Sequence, residues 1–199
     1  LCANFEIESK LIKLGYRRIS GIDEAGRGAL CGPVIAAAVI FDQEEPPING
    51  INDSKLISPK KREKLARAIY EKALGVGVGF ASNLEIDAKN IHIATIKAMK
   101  RAIENLPIEP DFLLIDGRPL ENIPYPQKAI IKGDRKSFSI AAASIIAKVI
   151  RDEIMRVFAR LIPGYSLDKN KGYGTNEHFY ALKALGPTLL HRISFKLKW

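Results

Sequence analysis

Asp23 and Glu24 stand side by side at the end of a strand-like run, Gly21-Ile22-Asp23-Glu24, with the turn-forming Gly26-Arg27-Gly28 close behind. Two more short apolar runs end in acids: Phe112-Leu113-Leu114-Ile115 leads into Asp116-Gly117, and Ala129-Ile130-Ile131 into Lys132-Gly133-Asp134. One Asp closing a buried strand is commonly only a turn former. Four carboxylates on three strand ends are different. If the strands are neighbours in one sheet, the acids crowd together, and like charges at low dielectric are costly unless a cation compensates. Oxygen donors with no Cys or His nearby favour Mg²⁺ or Mn²⁺ over zinc. Two such ions can activate water and stabilise the leaving oxygen of an in-line phosphoryl displacement. The expected chemistry is metal-assisted phosphodiester hydrolysis.

Side-chain alternation qualifies the first pair. In a continuous strand Asp23 and Glu24 point to opposite faces, so they are equivalent ligands only if the strand ends between them; otherwise Glu24 contributes partly through its carbonyl. His92, His178 and His191 are scattered, with no nucleophile beside them, and are expected to be structural, which argues against a histidine-based nuclease. Asp152, four residues after Lys148, reads as a solvated or locally paired acid. The glycines at 26, 28 and 32 have the wrong spacing for a dinucleotide fingerprint. A tight turn that approaches a ribose or phosphate closely, with Arg27 as a bidentate donor, fits better.

The elements that position these residues follow from pattern. A helix is expected over 4–15, closed by Gly15, and a strand over 17–22. Pro33 to Phe41 is a nearly continuous apolar run, fitting a buried strand. Ser58-Pro59 sets a cap before a proline at the first helical position, opening a helix to Lys72. Gly75-Val76-Gly77-Val78-Gly79-Phe80 reads as a strand with close packing. Ile93, Ile96, Met99, Ile103 and Leu106 predict a helix ending before Pro107, and Ser137 to Leu161 predicts the longest helix, whose Ala141-Ala142-Ala143 permits close approach to a sheet. A Gly/Lys-rich loop, Asp168 to Thr175, carries Tyr173, a last helix is expected over Glu177 to Leu185, and the tail Ile193 to Trp199 alternates as an extended segment would.

Composition sets the frame. A chain of 199 residues, 47% hydrophobic, can bury one substantial core. No apolar run is long enough for a membrane span, and Glu6, Glu8, Lys10 and Lys13 stand where a secretory signal would be apolar, so a cytoplasmic protein is expected. Cys2 and Cys31 are too few for a disulfide framework or zinc cluster, and Cys31 reads as a small buried residue. The net charge of +9 points to a polyanionic partner. Asn52-Asp53-Ser54-Lys55, Lys128 to Lys136 and Lys169 to Tyr173 supply the hydroxyl, cationic and aromatic groups of a nucleic-acid groove.

Taken in order, Gly21 to Gly28, Asn52 to Lys55, Asp116-Gly117, Lys132-Gly133-Asp134, Ala141 to Val149 with Arg151-Asp152, Lys171-Gly172-Tyr173-Gly174-Thr175 and His191-Arg192-Ile193-Ser194-Phe195 resemble bacterial ribonuclease HII, of the type 2 ribonuclease H family, over almost the whole chain. The resemblance implies an α/β ribonuclease H-like fold: a mixed five-stranded sheet flanked by helices, in a single catalytic domain over 1–199 with a C-terminal helical region at about 165–199. It implies an endonuclease that cuts the RNA strand of RNA/DNA hybrids, and cuts 5′ of a single ribonucleotide in duplex DNA, leaving 5′-phosphate and 3′-hydroxyl ends. Asp23, Glu24, Asp116 and Asp134 become the catalytic acids that bind Mg²⁺ or Mn²⁺. Gly26, Arg27 and Gly28 become the reader of the ribose 2′-hydroxyl, Tyr173 a stacking residue that favours deoxyribose on the following nucleotide, and Ser54 and Lys55 holders of the backbone. The expected partners are hybrids and ribonucleotide-containing duplexes, no membrane, and a monomeric chain. A non-catalytic hybrid-binding module is disfavoured by the four intact carboxylates. A resolvase- or transposase-like transferase acting on DNA is disfavoured by the Gly-Arg-Gly and Lys-Gly-Tyr elements.

Overall fold

The computed structural model describes residues 3–42, 48–51 and 54–195. Its centre is a five-stranded sheet built from β1 (Ile19–Ala25), β2 (Val34–Phe41), β3 (Ala73–Ala81), β4 (Phe112–Asp116) and β5 (Gln127–Ile130), in the order β3-β2-β1-β4-β5. β1 pairs antiparallel with β2, and β2 with β3, whereas β1 with β4 and β4 with β5 run parallel. This is the mixed sheet expected from the resemblance.

β2 is apolar throughout because both of its faces are covered. Ile35, Ala37 and Val39 of β2 face α5 (Phe138–Leu161) and α2 (Pro59–Lys72). Val34, Ala36 and Ala38 face the other way, onto α4 (Ile91–Glu104), with Ile22, Leu113 and Ile115 of the neighbouring strands. Small residues let the layers close up. A Cβ on Gly21 would lie 2.1 Å from the Ser139 carbonyl carbon of α5, and one on Gly77 or Gly79 would lie 2.1 Å from a carbonyl oxygen of α4. The close packing expected of the glycine-rich strand and of the alanine run in α5 is present.

Several boundaries differ from expectation. The first helix, α1, is Glu6–Lys13, shorter at both ends. β1 continues through the Asp-Glu pair to Ala25, because β2 pairs with it as far as Ala25↔Ile35. α2 begins at Pro59 as predicted, although Ser58 makes no capping hydrogen bond through its side chain. A further helix, α3 (Asn83–Lys89), is opened by a capping box in which Ser82 and Glu85 satisfy one another's N–H groups. β5 stops at Ile130, so Asp134 lies not at the strand end but in the 3-10 turn Gly133–Arg135. The loop around Lys169 contains the short α6 (Leu167–Asn170), and α7 (Asn176–Leu185) closes the series. Asn52, Asp53 and the tail beyond Phe195 lie outside the described residues. Among those described, no helix is long and apolar enough to cross a membrane.

Candidate active site

The sheet order does what the sequence required of it: the three acid-bearing segments, β1, β4 and β5 with the turn after it, are adjacent. The pair Ile22↔Ile115 sets the parallel register, and one residue further along each strand stand Asp23 and Asp116. Asp134 joins them through its turn, where the Gly133 N–H donates to Asp116 Oδ1 at 2.6 Å. Asp23 is buried and accepts from the Glu24 N–H at 2.6 Å. Because the strand does not end between them, Glu24 takes the opposite face, where Arg27 Nη1 lies 3.5 Å from its Oε1.

Burial first, then the charges of Glu24, Asp116 and Asp134, push the Asp23 carboxyl well above the usual carboxylate range, against the pull of the Glu24 N–H. Burial also raises Glu24, with Asp116 adding to it and Arg27 and Lys55 opposing. Among the described residues no three Asp, Glu, His or Cys side chains are gathered tightly enough to hold an ion as they stand. Asp23 and Asp116 are turned onto backbone donors and Glu24 onto Arg27. The donor set nonetheless fits a hard dication. It consists of oxygens only, and the excess negative charge that strengthens proton binding at Asp23 is what a cation relieves.

Beside the acids opens a cleft of about 440 Å³ lined by Asp23, Glu24, Gly26, Arg27, Gly28, Ser54, Lys55, Arg62, Lys148 and Tyr173. Every predicted substrate contact therefore meets two of the four predicted acids, Asp23 and Glu24, in one depression. Gly26 has φ +96°, and a Cβ there would lie 1.9 Å from Arg151 Nε, so glycine is required on both counts. The Arg151 guanidinium lies 5.2 Å from the centre of the Tyr173 ring, and the Lys148 ammonium 5.6 Å. Across Glu24 and Arg27 a second depression, reaching Asp116, is bordered by His92 and Arg118.

Arg62 and Lys148 carry no signal as cleft residues beyond the four-residue spacing of Lys148 and Asp152. Asp152 is indeed paired locally, with Lys148 at 2.5 Å, but it is buried rather than solvated and also receives Arg62 Nη1 at 3.2 Å. Arg62 in turn donates to the carbonyls of Ser54 and Ile57, each at 2.8 Å, and so fixes the turn that carries Ser54 and Lys55. Burial lowers the Lys148 pKa, and Asp152 partly restores it.

His178 and His191 are structural, as expected, but they are not scattered: their Nε2 atoms lie 3.1 Å apart in the interior. The Thr188 N–H donates to His191 Nδ1, and His178 Nδ1 faces the Tyr173 carbonyl at 3.0 Å. This network assigns a proton to His191 Nε2 and to His178 Nδ1, with the Thr188 hydroxyl also 2.9 Å from His191 Nδ1. Burial, then the neighbouring His178, lowers the His191 pKa to about 4, and burial lowers His178. A histidine pKa depressed by folding means that the unfolded chain binds more protons. The stability it contributes is complete above about pH 6.5 and is lost as pH falls towards 4. Thermal unfolding followed across that range should show the native chain losing more stability than His191→Gln. Parallel pH profiles would refute the assignment.

Comparison with known proteins agrees with this geometry. The sequence model of the ribonuclease HII family matches residues 20–198. The ribonuclease HII of Caldicellulosiruptor bescii is 53% identical over 191 residues, covering 96% of this chain and 92% of that protein. That of Caldicellulosiruptor saccharolyticus is 52% identical over 191 residues, covering 96% and 93%. Among solved structures, that of the PCNA:RNase HII complex from Archaeoglobus fulgidus matches with a TM-score of 0.74 at 25% identity, over 92% of this chain and 96% of that one. With the family pattern spanning nearly its whole length and its acids on adjoining strands, the chain belongs to the ribonuclease HII family.

Proposed function

We propose that this protein is a divalent-metal-dependent endonuclease that hydrolyses the RNA strand of RNA/DNA hybrids and cuts 5′ of a single ribonucleotide in duplex DNA, leaving 5′-phosphate and 3′-hydroxyl ends. The observation that carries the reading is the adjacency of β1, β4 and β5 with its following turn, which brings the four acid-bearing positions to one end of the sheet, Asp23 and Glu24 lining the same cleft as the Gly26–Gly28 turn and Tyr173.

Asp23, Glu24, Asp116 and Asp134 would hold Mg²⁺ or Mn²⁺, which would supply Lewis acidity to activate a water and to offset negative charge on the phosphate. The chain's own groups do the rest. Lys55 and Lys148 draw the phosphate backbone into the cleft, with Ser54 placed by Arg62 to hold it. The Gly26-Arg27-Gly28 turn approaches the sugar, and a 2′-hydroxyl, both donor and acceptor, is what distinguishes ribose from deoxyribose at one position. Tyr173, backed by Arg151 and Lys148, offers a flat surface for the following nucleotide, where a deoxyribose packs without an unpaired hydroxyl. In this reading the protein acts in the cytoplasm, as a monomer and a single catalytic domain with a helical region over about 165–199.

The test is a DNA duplex containing one ribonucleotide, incubated with and without Mg²⁺ or Mn²⁺ beside an all-DNA duplex and a DNA four-way junction. A metal-dependent cut 5′ of the ribonucleotide, with the other two intact, is expected. Tight binding without a cut would identify a binding module instead, and cleavage of the junction a DNA-acting transferase.

A further inference from the structure

Among the described residues, the two bulkiest side chains wholly removed from solvent are neither aromatic nor aliphatic; they are Arg151 and Arg192. Among the described residues neither forms an ion pair with a carboxylate. Their guanidinium groups are instead satisfied by carbonyls. Arg151 donates from Nε to Pro33 (3.0 Å), from Nη1 to Lys171 (2.9 Å) and from Nη2 to Cys31 (3.1 Å). Arg192 donates from Nε to Gly32 (3.0 Å), from Nη1 to Arg27 (2.9 Å) and from Nη2 to Gly26 (2.8 Å). Burying two like charges this way is unfavourable, and burial together with Arg151 lowers the Arg192 pKa to about 10. Such an arrangement calls for a compensating use, and the identity of the carbonyls indicates it.

Gly26 and Arg27 are consecutive, and no peptide bond among the described residues is cis. In a trans peptide the N–H points opposite to the C=O of the same unit. A fork that draws the Gly26 and Arg27 carbonyls inward therefore turns the N–H groups of Arg27 and Gly28 the other way. That side is the cleft, whose wall these residues form. The turn is closed by the Ala29 N–H donating to the Gly26 carbonyl at 3.2 Å, which leaves the two preceding amides for a ligand. Two N–H groups fixed side by side suit one small oxygen, such as a sugar hydroxyl.

We propose that Arg192 is the positioning residue for ribose recognition: its fork on the Gly26 and Arg27 carbonyls aims the N–H groups of Arg27 and Gly28 at the 2′-hydroxyl, while Arg151 locks that turn against the loop carrying Tyr173. The lock has a steric side, since Gly26 lies flush on Arg151 and any Cβ there would displace it. The proposal rests on the hybrid-endonuclease reading above and assigns the origin of its sugar discrimination. Lysine cannot replace Arg192, because a single ammonium does not span three carbonyls with a planar fork.

The test compares Asp134→Asn with Asp134→Asn/Arg192→Lys, so that binding is measured without cleavage on chains of equal net charge within each duplex comparison. Each is titrated with a duplex containing one ribonucleotide and with the same duplex in all-DNA form. Loss of Arg192 should reduce the preference for the ribonucleotide about tenfold while leaving all-DNA affinity within about twofold. Equal weakening towards both duplexes, or an unchanged preference, would overturn the proposal. No preference in Asp134→Asn itself would overturn the hybrid-endonuclease reading, and this inference with it. Should the double variant fail to fold, amide exchange in Asp134→Asn decides the matter. The Arg27 and Gly28 amides should be protected by the ribonucleotide duplex and not by all-DNA, and equal protection by both would sink the idea.

Discussion

Asp134→Asn protein should cleave an RNA/DNA hybrid roughly 10³- to 10⁵-fold more slowly than the native chain, about 4 to 7 kcal/mol of lost transition-state stabilisation. The substitution keeps shape and hydrogen-bonding reach but removes one of four negative charges, and with it much of the site's affinity for a dication. The fold should survive. Asp134 is one of the charges that push the Asp23 carboxyl upward, so removing it relieves repulsion in the metal-free chain. Three readouts separate the effects: cleavage falls, the unfolding temperature without metal holds or rises, and the stabilisation gained on adding Mg²⁺ or Mn²⁺ shrinks. Turnover at the native rate would remove Asp134 from the site.

Gly21→Ala should destabilise the fold by about 3 kcal/mol or more, an overpacking cost at the upper end of its usual range. For a chain of this length that is a fall in unfolding temperature of about 6 to 12 °C. The methyl group would press on the Ser139 carbonyl carbon and the Ile140 nitrogen, at 2.1 and 2.4 Å. Both are backbone atoms of α5, so no side chain can swing away; the helix itself must lift from β1. Asp23 lies two residues along on the same face, so activity should fall further than stability alone explains. Calorimetry that leaves the unfolding temperature within a degree of native would show that the helix and strand are not in such close contact.

How much of this was legible depended on whether the determining contact was local. The run Val34 to Phe41, the proline-led start of α2 and the long stripe of α5 are stated by neighbouring residues, and the structure follows them. The capping box at Ser82 and Glu85 was equally local and marks α3, a helix absent from the periodicity reading because it lasts only two turns. The acids could be named from their places after apolar runs, but their gathering depended on strand order, which no spacing reveals. Asp134 shows the limit, since its 3-10 turn is set by Lys132 in a left-handed conformation and by the Gly133 contact with Asp116. The inward parts of Arg62, Arg151, Arg192 and the histidine pair were hidden for the same reason. Arg151 and Arg192 bond carbonyls mostly far away in sequence, Arg62 reaches Asp152 across the fold, and the two histidines meet only when the chain between them doubles back; a polar side chain with such partners reads locally as surface.

The parallel pairing of β1 with β4 has a consequence for the order in which the protein becomes an enzyme. β1 and β2 can pair soon after leaving the ribosome, since a short loop joins them, but Ile19 must wait for Phe112, and β5 follows later still. Until then Asp23 and Glu24 ride on a strand whose neighbour in the site has not been synthesised. Gly21 also waits for Ser139 before its close contact with α5 can form. A half-made chain thus has two of the four acids and lacks the supporting helix, and cutting competence arrives with the last third of translation.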